Sequence, residues 1–268
     1  MIAISNAHVT FKRGTPLETR ALRGLSLEIP DAQFVTVIGS NGAGKSTLLN
    51  LIAGTVTVDA GTAGGGIAID GVDVTDQAAA ERARLVSRVF QDPLAGTCEE
   101  LTVEENLALA AARTRRRGLG RALSRDLREK FRHELAQIGL GLENRLGDQI
   151  GLLSGGQRQA VSLVMASIAE THTLLLDEHS AALDPKTAEL VLDLTRRIVT
   201  GRKLTAVMVT HSMRQALDFG DRTVMLHKGK VALDVSGEKR VGLDVPDLLA
   251  LFGRVQGEEI SDDALLLG

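Results

Sequence analysis

Apolar and polar residues alternate through Ile2–Phe11 and again through Leu25–Ile29, so both segments read as period-two strands. A polar, proline-bearing turn around Gly14–Glu18 separates them. Phe34-Val-Thr-Val-Ile38 is apolar without alternation, the mark of a strand buried on both faces. It runs into the glycine-rich stretch Gly39–Thr47, and a helix is expected from there through Ala53. Further buried strands are expected at Ile67–Ile69, Leu85–Phe90, Thr173–Leu176 and Leu204–Val209, with helical patterns between several of them. Buried strands alternating with helices predict an α/β sandwich with a largely parallel centre.

The stretch from Asp92 to about Ile150 breaks this rhythm. It carries two helical patterns, Val103–Arg113 and Ser124–Ile138, joined by the basic, glycine-bearing segment Arg115–Arg121. An all-helical insertion in the α/β core is expected here. The run Arg115-Arg116-Arg117 reads first as a solvated helix end and loop, with a phosphate or lipid contact as the alternative. Gly64-Gly65-Gly66 reads as a turn because no helix start follows it. No internal repeat of the solenoid kind is present. The chain closes with a short helix, Val245–Phe252, and a polar tail.

Composition narrows the picture. A chain of 268 residues, 44% of them hydrophobic, suits one large domain or one domain with an insertion. Its formal charge of -3 argues against a sequence-independent nucleic-acid binder. Trp and Tyr are absent and Phe occurs six times, so a stacking site for a base must draw on Phe or His. Cys98 is the single cysteine, which excludes an internal disulfide and a cysteine metal cluster. No apolar run approaches the roughly 18 residues that span a bilayer. The N-terminus, MIAISNAHVTFKR, alternates like a strand and lacks the layout of a signal peptide. A soluble chain is expected, and any membrane role would need membrane subunits on other chains.

Two segments carry phosphate chemistry. GSNGAGKST at 39–47 matches G-x-x-x-x-G-K-[ST] and sits between an expected strand and an expected helix, as the mechanism requires. In Gly39, Ser40, Asn41, Gly42, Ala43, Gly44, Lys45, Ser46 and Thr47 the glycines let backbone N–H groups form a concave anion nest. Lys45 adds a cation for the β- and γ-phosphates, the Ser46 hydroxyl can ligate Mg²⁺, and the helix start adds partial positive charge. The second segment, THTLLLDEH at 171–179, delivers Asp177 and Glu178 at the C-terminal end of a buried strand. Asp177 suits Mg²⁺, and Glu178 suits a general base for an attacking water. These two segments leave a small-molecule kinase, a GTPase or a helicase open.

LLSGGQRQA at 152–160 narrows the choice. Ser154 offers a hydroxyl and Gly155-Gly156 expose N–H groups at a helix start, followed by Gln157. That is a second anion site, which one chain with one phosphate loop does not need for the same nucleotide. Here the chain resembles the ABC (ATP-binding cassette) ATPase family, whose Leu-Ser-Gly-Gly-Gln signature stands at Leu153–Gln157. The resemblance covers nearly the whole chain. It implies an ATPase and a homodimer in which each nucleotide lies between one subunit's phosphate loop and the other's signature. It implies a P-loop NTPase core over 1–91 and 169–268, with an N-terminal antiparallel β-subdomain, and an α-helical subdomain over 92–168. It also implies that Gln91 reaches Mg²⁺, that Asp184 in Ser180-Ala-Ala-Leu-Asp184 crosses the dimer interface, and that His211 contacts the γ-phosphate. The family usually stacks the adenine on an aromatic near the end of the first strand. Phe11 is the aromatic available there, with a core Phe as the competing reading.

Within the family, VTVIGSNGAGKSTLLN, RVFQDPLAGT, LLLDEHSAALDPKTAELVL and VMLHKGKVALDVSG are similar to a bacterial branch of importer-type ATPases. Some members of that branch are linked to aromatic amino-acid uptake with a binding protein, and His179, where many relatives have Pro, is part of the likeness. The expectation is therefore an ATP- and Mg²⁺-dependent subunit at the cytoplasmic face of the membrane. Integral permease subunits and an extracytoplasmic substrate-binding protein are its expected partners. The segment Asp92–Glu100, which includes Cys98, is where a permease would dock. The alternative is a soluble ABC protein on ribosomes or nucleic acid. Tandem cassettes or long coiled-coil or zinc insertions would favour it, and the sequence has none of these. A kinase or GTPase is disfavoured by the signature and by the lack of an Asn-Lys-x-Asp motif.

Overall fold

The computed structural model describes residues 1–113, 123–168 and 171–256. The Arg115–Arg117 run and the polar tail lie outside the described residues. Strands β1 (Ile2–Phe11), β2 (Thr19–Ile29), β4 (Gly66–Ile69) and β5 (Val72–Asp73) form an antiparallel sheet in the order β2-β1-β4-β5. A second sheet contains β3 (Phe34–Ile38), β6 (Val86–Val89), β7 (Thr173–Asp177), β8 (Thr205–Val209), β9 (Arg222–His227) and β10 (Lys230–Ser236). Its order is β10-β9-β3-β8-β7-β6, parallel throughout except for the β9–β10 hairpin. The expected α/β fold with a largely parallel central sheet is present.

The unbroken apolar runs of the central strands are explained by what covers each face. Leu174, Leu176, Ala206 and Met208 point to one side, into a core shared with α3 (Val103–Ala111), α4 (Arg125–Ala136) and α5 (Gly155–Ile168) through Leu107, Phe131 and Val161. Val35, Val37, Leu175, Val207 and Val209 point to the other side, where α1 (Lys45–Ala53) and the antiparallel sheet supply Leu48, Ile52, Ile4 and Ile69. Alternate residues thus enter two different cores, which is why apolar residues dominate both faces of these strands. The core on the helical side is continuous from the sheet into α3–α5.

The remaining helices are α2 (Ala79–Arg82), α6 (Pro185–Gly201), α7 (Met213–Asp218) and α8 (Val245–Gln256). The Thr102 hydroxyl accepts from Glu105 N while the Glu105 carboxylate accepts from Thr102 N, a reciprocal cap that starts α3. No described helix is long and apolar enough to cross a membrane.

Three differences from the sequence reading have physical causes. β2 begins at Thr19, six residues before the expected start, because Gly24 at φ 70 and a register shift between Ala7 and His8 interrupt the alternation. β9 and β10 were not expected; they form a hairpin through Lys228 and Gly229, whose φ values of 47 and 79 fit a two-residue turn. Of the Gly64–Gly66 turn, Gly66 already belongs to β4.

Candidate functional site

The parallel strands β3, β6, β7 and β8 all end on one edge of the sheet, and the chemistry-bearing residues gather there. β3 delivers Gly39, whose φ of 147 and close approach to the neighbouring strand require glycine. A Cβ there would lie 2.3 Å from the Leu226 carbonyl oxygen. Gly44, at φ 104, caps α1; its Cβ would press on the Ala21 carbonyl at 2.8 Å. Ser40 is half-buried, Asn41, Gly42 and Ser46 are exposed, Ala43 is buried and Thr47 half-buried. The loop is braced from behind, where Gly229 N donates to Ala43 O at 3.0 Å.

Lys45 is buried at the start of α1, its Nζ donating to Gly39 O at 2.7 Å and Ser40 O at 3.2 Å. Burial holds the ammonium below its usual pKa, and the charges of Glu178 and Asp177 partly offset that. Lysine and acids therefore share one electrostatic environment, as phosphate transfer with a metal would require.

Asp177 closes β7, and Glu178 follows with φ 44, an uncommon conformation for a residue with a side chain. The turn is secured by Glu178 N donating to Val209 O at 3.1 Å. The turn brings the Glu178 carboxylate to His211, which follows β8; Nε2 of His211 lies 2.7 Å from Oε1 of Glu178. Glu178 is largely shielded while His211 is 43% exposed, so the histidine is the solvent-facing member of the pair.

Sequence reasoning missed Arg88. On β6, its Nη2 donates to Asp177 Oδ2 at 2.5 Å and its Nη1 to Asn50 Oδ1 on α1 at 2.7 Å. The guanidinium also sits 4.7 Å from the Phe90 ring centroid. Nothing in the motif spacing marks this residue; an arginine in a buried strand was the available signal.

The signature residues form a separate structure on α5. Ser154 Oγ accepts from Gln157 N at 3.3 Å, and Gln157 Oε1 accepts from Ser154 N at 3.1 Å, a reciprocal cap. Arg145 donates to the same Gln157 oxygen at 3.2 Å. Gly155 and Gly156 open the helix, and Gly156 packs directly on Thr187 of α6. Asp184 caps α6 by accepting from Thr187 N at 3.1 Å, and its hydrogen bonds with Thr187 hold its carboxyl below the usual range. Among the described residues, no hydrogen bond joins Ser154–Gln157 to the phosphate loop.

Gln91 is exposed just beyond β6, and the backbone before it is gripped by Gln159 of α5, which donates to Phe90 O at 3.1 Å. Gln159 was also missed; it joins the signature helix to the Gln91 segment. Phe11 ends β1 and is 39% exposed, so the core reading fails. His179 is buried, its Nε2 2.8 Å from the Thr195 hydroxyl, and that hydroxyl donates to Val191 O. The imidazole is then the donor in the first contact.

A cleft of about 1390 Å³ opens on this edge, lined by Ser40, Asn41, Glu178, Ser180 and His211 and reaching to Phe252. Neither Phe11 nor the signature lines it. No cluster of three His, Cys, Asp or Glu residues suited to a metal occurs among the described residues. One carboxylate, Asp177, whose charge reaches Lys45, together with the exposed hydroxyl of Ser46 next to that lysine, is nonetheless a donor set that fits Mg²⁺, which prefers few protein ligands plus substrate phosphates.

Comparison with known proteins agrees with this geometry. Residues 22–181 match the family model described as ABC transporter. The chain is 44% identical over 252 residues to the tyrosine transport ATP-binding protein of Clostridioides difficile (strain R20291), covering 94% of this chain and 98% of that one. It is 36% identical over 207 residues to the thiamine import ATP-binding protein ThiQ of Shigella flexneri serotype 5b (strain 8401), covering 77% of this chain and 82% of that one. Among solved structures, the dimeric post-hydrolysis state of the ATP-binding cassette MJ0796 bound to ADP and Pi superimposes with a TM-score of 0.75 at 28% identity. The match covers 88% of this chain and 98% of that one.

Proposed function

This chain belongs to the ABC transporter family and is an ATPase, and we propose that it energises an importer of a small solute, an aromatic amino acid by first choice. The contact between Glu178 and His211 at the end of two parallel strands carries the chemical part of this reading. The near-full-length likeness to a tyrosine transport subunit supports the cargo.

In the proposed reaction the phosphate loop, Gly39–Thr47, wraps the β- and γ-phosphates, and Lys45 turns its ammonium from the loop carbonyls toward them. Ser46, Gln91 and Asp177 would hold Mg²⁺, which would supply charge neutralisation at the phosphate oxygens. Glu178 accepts the proton of the attacking water, and His211, which donates to its carboxylate, fixes the carboxylate's direction and reaches the γ-phosphate. Phe11 stacks on the adenine.

Ser154, Gly155, Gly156 and Gln157 serve a second copy's nucleotide; within this chain Ser154 and Gln157 bond to each other at the start of α5, and the signature does not line the cleft beside the phosphate loop. ATP thereby closes a homodimer, with Asp184 at the interface, and loss of the γ-phosphate opens it. The helical segment within 92–168 is a subdomain that passes this motion to integral permease subunits on other chains. A groove of about 210 Å³ between Phe90, Gly96, Cys98, Leu109 and Met165 supports docking near the Asp92–Glu100 segment. The chain then works at the cytoplasmic face of the membrane, with an extracytoplasmic binding protein delivering the solute.

The test is reconstitution in liposomes with the permease subunits that co-purify with the chain. ATP-dependent tyrosine uptake, lost with Glu178→Gln, is expected. ATP hydrolysis with no co-purifying membrane subunit would count against transport.

A further inference from the structure

The largely shielded guanidinium of Arg88 touches β7 and α1, which carry Asp177 and Ser46, and lies against Phe90, directly before Gln91. It lies on β6, three residues before Gln91. One nitrogen reaches Asp177 at the end of β7, at 2.5 Å, and the other reaches Asn50 at 2.7 Å, one helical turn beyond Ser46 on α1. The side chains of Arg88 and Asp177 are 13% and 14% exposed, so the pair is shielded from water. The ring of Phe90, directly before Gln91, lies against the guanidinium.

We propose that Arg88 is a positioning residue for the metal, holding Asp177, α1 and the Gln91 segment at fixed separation. The proposal rests on the reading of Ser46, Gln91 and Asp177 as the Mg²⁺ site. A guanidinium suits the task because its planar fork aims two N–H groups at two different acceptors at once. It engages one carboxylate oxygen of Asp177, Oδ2, and leaves Oδ1 to accept from metal-bound water. A positive charge beside a metal residue also repels the cation. Arg88 therefore acts through geometry only if the benefit of a fixed carboxylate exceeds that repulsion. A lysine keeps the charge and loses the fork, which separates the two effects.

The experiment uses the full chain and three variants, Arg88→Lys, Asn50→Ala and Asp177→Asn. Two quantities are read: the affinity for a fluorescent ATP analogue in EDTA, and Mn²⁺ binding with ADP, followed by electron paramagnetic resonance. Arg88→Lys is expected to leave metal-free nucleotide affinity within twofold of the parent and to weaken Mn²⁺ binding about fivefold or more. Asn50→Ala is expected to weaken Mn²⁺ binding by a smaller factor, since one arm of the fork remains. Unchanged Mn²⁺ binding in Arg88→Lys, with a large loss in Asp177→Asn, would overturn the role of Arg88 while leaving the metal site standing. No loss in Asp177→Asn would overturn the metal site and this proposal with it. A parallel fall in metal-free nucleotide affinity in Arg88→Lys would reduce Arg88 to a structural residue.

Discussion

Gly156 in the signature helix and Thr187 in the helix after Asp184 are packed so closely that a Cβ on Gly156 would lie 2.0 Å from the Thr187 methyl. The same Thr187 donates its N–H to Asp184. The two segments proposed to face the second copy of the chain are thus locked to one another within this one.

Gly156→Ala is expected to destabilise the chain by about 1–3 kcal/mol, the usual cost of overpacking a rigid contact. Thr187→Ser removes the clashing methyl and keeps both the hydroxyl and the capped N–H, so it is expected to restore most of that loss in the double variant. Urea melts of the four forms in a double-mutant cycle measure the coupling. Additive effects would show that the two helices adjust independently.

Glu178→Gln is expected to retain ATP binding and to lose turnover by roughly 100-fold or more, the range a general base contributes. With ATP and Mg²⁺ the variant is expected to elute as a dimer. Rapid-quench turnover and size-exclusion chromatography check both outcomes, and near-normal turnover would remove Glu178 from its role.

Phe11→Ala is expected to weaken ATP binding by about 1–3 kcal/mol, the value of one base–aromatic stack. Phe11 lies outside the three apolar core clusters, so the melting temperature is expected to stay within a few degrees. Unchanged nucleotide affinity would place the adenine elsewhere.

His179 supplies a pH dependence of stability. Complete burial pushes its pKa from 6.5 down to about 4. Between these values the unfolded chain binds a proton that the folded chain refuses, so stability rises with pH across this window. It is fully present above pH 6.5 and declines as pH falls toward 4, by about 3 kcal/mol in all. His179→Gln, which cannot titrate, is expected to remove this part of the acid slope in urea melts at pH 4.5 and 7. An unchanged slope would assign the acid sensitivity to other groups.

Motifs that act through consecutive backbone groups were readable without a structure. The anion nest of Gly39–Thr47 and the cap of Ser154–Gln157 are local, so their residue order contains their geometry. The strand expected at Thr173–Leu176, which runs one residue further to Asp177, was readable for the same reason, because burial on both faces leaves the apolar run Leu174–Leu176. β9 was harder, since its apolar residues lie between an arginine and a histidine; and a bulge hid the first half of β2.

The sequence by itself determined the fold class, the phosphate loop, the acidic pair and the signature, because each is written in neighbouring residues or in the period of burial. Tertiary structure alone decided which distant side chains meet. Asp177 lies 89 residues from Arg88, Gln159 lies 69 from Phe90, and Thr187 and Gly156 stand on different helices. Such pairings depend on strand order and helix packing, which no local pattern encodes. The phosphate loop was therefore legible, and the arginine beside Asp177 was not.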